Sequence, residues 1–125
     1  MSAEAPAEPY NAFLVGCPAR QLFDRISDKW VGLTLSALAR DSRRYSELSR
    51  TITGVSQKML TQTLRNLERD GLVSRTVTPT VPVRVDYELT ELGRSLLPAV
   101  QLLKGWAEGN IERVQAARET YDAQP

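Results

Sequence analysis

The polar side chains of Gln57, Lys58, Thr61, Gln62 and Arg65 fall on one side of a helix once Leu60, Leu64 and Leu67 are turned toward a core. These residue types are the ones that read base edges. A Gln amide pairs bidentately with adenine, Arg and Lys pair with the O6 and N7 of guanine, and Thr meets a base edge or a thymine methyl. Ser56 precedes the set as an N-cap, and no carboxylate interrupts it before Glu68. An ordinary solvated helix face is the alternative, but such a face normally mixes acids among its bases.

A second chemistry is available at Cys17, directly before Pro18. Pro at a first helical position makes Cys17 an N-cap, where unpaired N–H groups and the helix dipole favour a thiolate, and Arg20 lies one turn away. The neighbouring Phe13, Leu14 and Leu22 oppose ionisation if they bury the sulfur. With no second Cys, a disulfide requires Cys17 of another copy or a small thiol. Cys17 could equally be a cap residue that senses nothing.

Other chemistries lack their parts. The chain has no His, which removes the commonest general base and transition-metal ligand, and a single Cys excludes the usual zinc sites. Neither GxGxxG nor GxxxxGK[ST] is present. No catalytic residue, metal or cofactor is expected, and no enzymatic activity. The N-terminal MSAEAPAEPY lacks the basic and apolar regions of a secretory signal, and no apolar run approaches a membrane span. A cytoplasmic, nucleoid-associated protein is expected.

Charge is segregated along the chain. Arg40, Arg43, Arg44, Arg50, Lys58, Arg65, Arg69, Arg75 and Arg84 outweigh the acids of the middle segment, whereas acids predominate after Val85. A basic middle is expected of a surface that meets phosphate. Arg43, Arg44, Tyr45 and Ser46 before the polar helix, and Arg75, Thr80 and Arg84 after it, are the candidate backbone contacts, with Arg84 placed to enter a minor groove.

The elements that must position these groups follow from periodicity. Residues 1–9 are expected to be a disordered tail, 10–121 one domain, and 122–125 a short tail. Cys17-Pro18 opens a helix burying Leu22, Phe23 and Ile26; Asp28 caps a second with Trp30, Leu33, Ala37 and Leu38 inward; Ser46 caps a short third with Leu48 and Ile52 inward. Thr53-Gly54 makes a tight turn, and Ser56 starts the fourth helix, which buries Met59, Leu60, Thr63, Leu64 and Leu67. Asp70-Gly71-Leu72 ends it with Gly in the left-handed position and Leu72 against Leu67. Alternating, β-branched segments at 73–78 and 83–89, joined through Pro79 and Pro82, form a hairpin.

Thr90 caps a last helix with Leu92, Leu96, Val100, Leu103 and Ala107 on one stripe and Trp106, Ile111 and Val114 beyond, kinked at Pro98. The fold class is therefore mainly α with a small β-hairpin, a winged helix-turn-helix flanked by N- and C-terminal dimerisation helices. Phe13, Leu14, Leu96, Val100, Leu103 and Trp106 are the candidate dimer interface; packing of the last helix back on the first is the alternative.

The segments CPARQLFDRISDKW, RRYSELSRTITGVSQKMLTQTLRNLERDGLVSR and VPVRVDYELTELGRSLLPAVQLLKGW resemble the HxlR-type family of bacterial regulators over residues 17–106. Two departures are visible: Asp28-Lys29-Trp30 where the family commonly has Gly-Lys-Trp, and Pro82-Val83 where it has Pro-Pro or Pro-Lys. The resemblance implies a dimeric winged helix controlling a nearby promoter, often in response to oxidants, electrophiles or small metabolites, and in some members through a Cys at the place of Cys17. The expected function is a homodimeric transcriptional regulator, repressor or activator, reading an inverted-repeat operator in duplex DNA. A winged-helix module that binds protein instead of DNA is the alternative.

Overall fold

In the computed structural model, which describes residues 9–125, the chain runs through α1 (Pro18–Ile26), α2 (Lys29–Ala37), β1 (Arg43–Arg44), α3 (Tyr45–Thr51), α4 (Gln57–Arg69), β2 (Val73–Thr78), β3 (Arg84–Leu89) and α5 (Glu91–Asp122). The tail expected over 1–9 thus lies, but for its last residue, outside the described residues. The hairpin pairs Val73 with Leu89 through Thr78 with Arg84, and β1 adds to the free side of β3, giving an antiparallel sheet ordered β1-β3-β2. This mainly helical, winged helix-turn-helix architecture agrees with the fold class read from periodicity. The third strand was not expected; at two residues it is too short to leave an alternation.

Side chains from α2, α3, α4 and the sheet meet in one core of Val31, Leu35, Leu38, Leu48, Ile52, Leu60, Leu64, Leu67, Leu72, Val73 and Leu89. Asp28 caps α2 by accepting from the Trp30 N–H at 2.7 Å, as its sequence implies. The buried face of α2 is rotated from the expected one, however: Val31, Thr34, Leu35 and Leu38 are buried, while Trp30, Leu33 and Ala37 are only half-buried. Two apolar stripes are interleaved on this helix because it packs on both sides, against α4 through one and α5 through the other.

Three further expectations are corrected. Helix α1 buries none of its residues; Leu22 and Phe23 are 45% and 59% exposed, and only Ile26 leans on the core, which α2 to α4 already fill. Helix α3 starts at Tyr45 with Arg44 as its N-cap, not Ser46, because β1 pairing holds the backbone extended through Arg44, whose N–H donates to Glu47 Oε1 at 3.0 Å. Met59, placed in the α4 stripe, lies at its edge and is exposed.

The end of α4 follows the predicted pattern. Leu72 N–H donates to the Leu67 carbonyl at 2.9 Å and Gly71 N–H to that of Glu68 at 3.1 Å, with Gly71 at φ 78°. Thr90 then joins this turn to α5: its hydroxyl donates to the Gly71 carbonyl at 2.6 Å and accepts from the Gly93 N–H at 3.0 Å. Its own N–H donates to the Leu72 carbonyl.

Helix α5 runs continuously through Pro98 to Asp122, one residue past the expected boundary. It packs on α2, not on α1, and Leu96 and Val100, expected at a subunit seam, are half-buried against the core of their own protomer. Past Val100 almost every residue of the helix is exposed, Leu102, Leu103 and Trp106 among them. A helix of this length spans about 48 Å; Leu103, Lys104, Ala107 and Glu108 border a cleft shared with the start of α2, and the part beyond Glu108 extends away from the core.

Gly93 is the one buried residue of α5, and a Cβ there would fall on the Leu72 carbonyl oxygen. Gly93→Ala should therefore destabilise the fold by about 2–4 kcal/mol in urea unfolding, since backbone must move. Gly109→Ala, in open space, should be neutral or stabilise by up to about 1 kcal/mol through helix propensity. Equal effects at the two positions would contradict this packing.

Candidate nucleic-acid interface

The first turns of α4 project from the core because Ser56 sets their direction, accepting from the Met59 N–H at 3.1 Å. Gln57, Lys58, Gln62 and Arg65 are exposed side by side, with Thr61 half-buried behind them. Gln62 donates to Asn66 Oδ1 at 3.2 Å, which leaves its own carbonyl oxygen free to accept.

Tyr45, a candidate phosphate contact by sequence, is engaged elsewhere. Its hydroxyl donates to the Gln57 carbonyl at 3.1 Å and accepts from Thr61 Oγ1 at 3.5 Å, and its ring is half-buried at the edge of the core. It braces the start of α4 against α3. Thr80, another candidate, spends its hydroxyl on the Pro82 carbonyl at 2.8 Å within the wing loop.

The basic residues divide between the two faces of the sheet, which the sequence could not show. Register places Arg43, Tyr87 and Arg75 in one row across the three strands, on the side that faces α4. Arg75 and Arg65 line a cleft of about 300 Å³ there, together with Tyr45, Glu68 and Tyr87. Arg44 and Arg84 occupy the opposite face, where a cleft of about 400 Å³ also gathers Ser46, Arg50 and the acids Glu47 and Asp86.

On that second face Arg84 is already paired, its Nε 3.0 Å from Asp86 Oδ2 with half of its side chain still exposed. An exposed pair of this kind is weak enough to exchange for a phosphate. Arg43 lies 3.9 Å from Glu47, a looser contact. Arg50 and Asn66 were not among the sequence candidates; both could have been found from helical spacing, Arg50 four residues after Ser46 and Asn66 four after Gln62.

Cys17 stands apart from this surface. It caps α1 with extended backbone angles and makes no side-chain cap bond. Partial removal from water pushes its thiol up, but the backbone N–H groups of Ala19, Asn11 and Arg20 outweigh that and leave the pKa below the ordinary thiol value. The guanidinium of Arg20 is directed away, donating to the Phe13 carbonyl at 3.1 Å, so the expected charge contribution is replaced by a backbone one. Phe13 and Leu14 are 92% and 61% exposed and do not seal the sulfur.

Comparison with known proteins identifies the family and the fold. The HxlR-like helix-turn-helix family model matches residues 25–115. The chain is 41% identical over 109 residues to the uncharacterised HTH-type transcriptional regulator YtfH of Escherichia coli, spanning 87% of this chain and 86% of that one. The solved structure of the putative transcriptional regulator YtfH from Salmonella typhimurium superposes with a TM-score of 0.84 at 41% identity, covering 88% of this chain and 98% of that one. The redox regulator HypR in its oxidised form gives 0.70 at 41% identity, over 75% and 97%. With its helix-turn-helix, its three-stranded wing and these relatives, the chain belongs to the HxlR-like helix-turn-helix family of transcriptional regulators.

Proposed function

We propose that the protein reads a two-fold operator in duplex DNA as a homodimer, each α4 entering a major groove and each wing lying along the adjacent backbone. The observation that carries this is the exposed, acid-free face of Gln57, Lys58, Gln62 and Arg65 at the start of the second helix of the pair. The basic rows on the sheet supply the phosphate contacts that hold it in register. Expected outcomes are specific. Lys58→Ala and Arg65→Ala should each weaken operator binding by about 1–3 kcal/mol with unchanged circular dichroism. If the dimer neutralises on the order of six phosphates, log affinity should fall against log salt with a slope of roughly −5. Affinity that ignores salt would contradict the reading.

Self-association is supported by the apolar surface that one protomer leaves uncovered. Phe13, Leu14, Leu22 and Phe23 lie at one end and Leu102, Leu103 and Trp106 on the overhanging part of α5. An isolated helical extension is marginal in water without a packing partner, and a second copy offers the same unpartnered stripe. Replacing Leu103 and Trp106 with Glu should yield a monomer in sedimentation at micromolar concentration, with far weaker operator binding because one head no longer concentrates the other.

Response to oxidants through Cys17 is the finer part of the proposal. Its lowered pKa increases the thiolate fraction at neutral pH, and HypR, a redox regulator by name, shares the fold. With a peroxide, the thiolate attacks one oxygen; the O–O bond breaks, the sulfur becomes a sulfenic acid and the other oxygen leaves as water or alcohol. Condensation with a small thiol, or with Cys17 of another copy, then releases water. The wild type should alkylate faster near pH 7 than an unperturbed thiol, and peroxide should release DNA from it but not from Cys17→Ser. Equal affinity of the oxidised and reduced forms would reduce Cys17 to a cap, with a small metabolite as the remaining kind of effector.

A further inference from the structure

Helix α1 is held to the rest of the protein by unusual means. It has no buried residue, and its apolar hold on the core is Ile26 at its last position. Toward α4 it faces an open polar cleft of about 360 Å³, with Gln21 and Asp24 on one wall and Gln62 and Asn66 on the other. The cleft is bridged by Arg25, whose Nη1 donates to Asp70 Oδ1 at 3.0 Å and Oδ2 at 2.9 Å.

Electrostatics make this contact more than a surface pair. Asp70 is the C-cap of α4, so its carboxylate lies at the negative end of that helix dipole, an unfavourable place for an anion. Arg25 occupies the last turn of α1, a second negative end, and its guanidinium therefore serves two helix C-termini and a carboxylate together. The Arg25 and Asp70 side chains are 35% and 18% exposed, so the pair is partly shielded from solvent, while Asp24 and Asp28 on the same cleft add negative potential. Removing the cation leaves Asp70 repelled by its own helix end.

We infer that Arg25 is a positioning residue that sets the angle of the reading helix α4 relative to α1, and through which α4 feels displacements of the α1 surface. That surface carries Cys17 at one end and the exposed Leu22 and Phe23 along its side. Cys17 and Arg25 are about 12 Å apart along the helix, so a shift at the cap acts on Asp70 through a short rigid lever. Apolar contact of α1 with the core is confined to Ile26, so the Arg25 pair, with Nη1 between both Asp70 oxygens, is the link that ties α1 directly to the end of α4. The inference rests on the DNA-reading dimer proposed above.

The test uses the full-length protein with duplexes carrying one half-site, or two half-sites whose centres are one helical turn apart or displaced by one and two base pairs. Wild type should prefer one spacing by about tenfold or more, because each added base pair rotates and translates the second site. Arg25→Ala should bind the single half-site like wild type yet discriminate among spacings by less than about threefold, and Arg25→Lys should recover only part of the preference, since a shorter, point-like ammonium keeps the charge without the planar guanidinium. Retention of the wild-type spacing preference by Arg25→Ala, or loss of its half-site affinity, would overturn the inference. Amide exchange supplies a readout that needs no DNA: Arg25→Ala should exchange faster at 66–70 with the α2 core amides unchanged, and no change at 66–70 counts against the inference. Wild-type protein that binds none of these duplexes would instead overturn the proposed operator-reading dimer, and the exchange result then decides the role of Arg25 alone.

Discussion

The turn Asp70-Gly71-Leu72 carries constraints from every layer of the molecule. A left-handed Gly71 lets the chain reverse while the Leu67 and Glu68 carbonyls are satisfied, and Leu72 enters the core in the same step. From there the sheet departs, Thr90 returns to bond the Gly71 and Leu72 carbonyls, and Gly93 lets α5 come down onto the Leu72 backbone. Arg25 grips the turn from the other side. A Cβ at Gly71 would strain the backbone and one at Gly93 would collide with the Leu72 carbonyl, so the two glycines are required for different reasons.

Fixed at that end, α4 is also held at its other end, where the polar side chains are exposed. Tyr45 braces the first turn by bonding the Gln57 carbonyl, and the side chains of Gln57, Lys58, Gln62 and Arg65 radiate from a backbone held at both ends. Such preorganisation lowers the entropy lost when side chains are ordered on a partner. The sheet extends the surface in two directions, because alternation sends Arg43 and Arg75 to the α4 side and Arg44 and Arg84 to the other. Charges adjacent in sequence therefore lie on opposite faces of the sheet.

The apolar residues left outside the core have an equally physical origin. Helices α2 to α4 and the sheet close the core among themselves, so the stripe of α1 and the overhang of α5 retain exposed Leu, Phe and Trp that a single protomer has no element to cover. Scattered apolar residues are ordinary on a surface, but here they are concentrated on two exposed helices, which is the observation behind the proposed self-association. Cys17 lies at the edge of this region, not at the reading surface. Any message from it must travel through α1.

Local chemistry was legible in the sequence wherever it depends on neighbours along the chain. Asp28, Ser56 and Thr90 as caps, Gly71 as a left-handed terminus, the presence of the hairpin and the polar face of α4 all follow from groups a few residues apart, whose geometry the backbone itself imposes. What periodicity could not resolve was which of two apolar stripes on α2 is buried more deeply, whether Leu22 and Phe23 have anything to pack against, or that β1 would start α3 at Tyr45. Nor could it tell that Arg25 would meet Asp70, that Tyr45 would turn to Gln57, or that Arg20 would leave the thiol for the Phe13 carbonyl. These outcomes were decided by the tertiary structure, because burial and ion pairing depend on which surfaces are brought opposite one another, and a periodic pattern identifies an apolar face without identifying its partner.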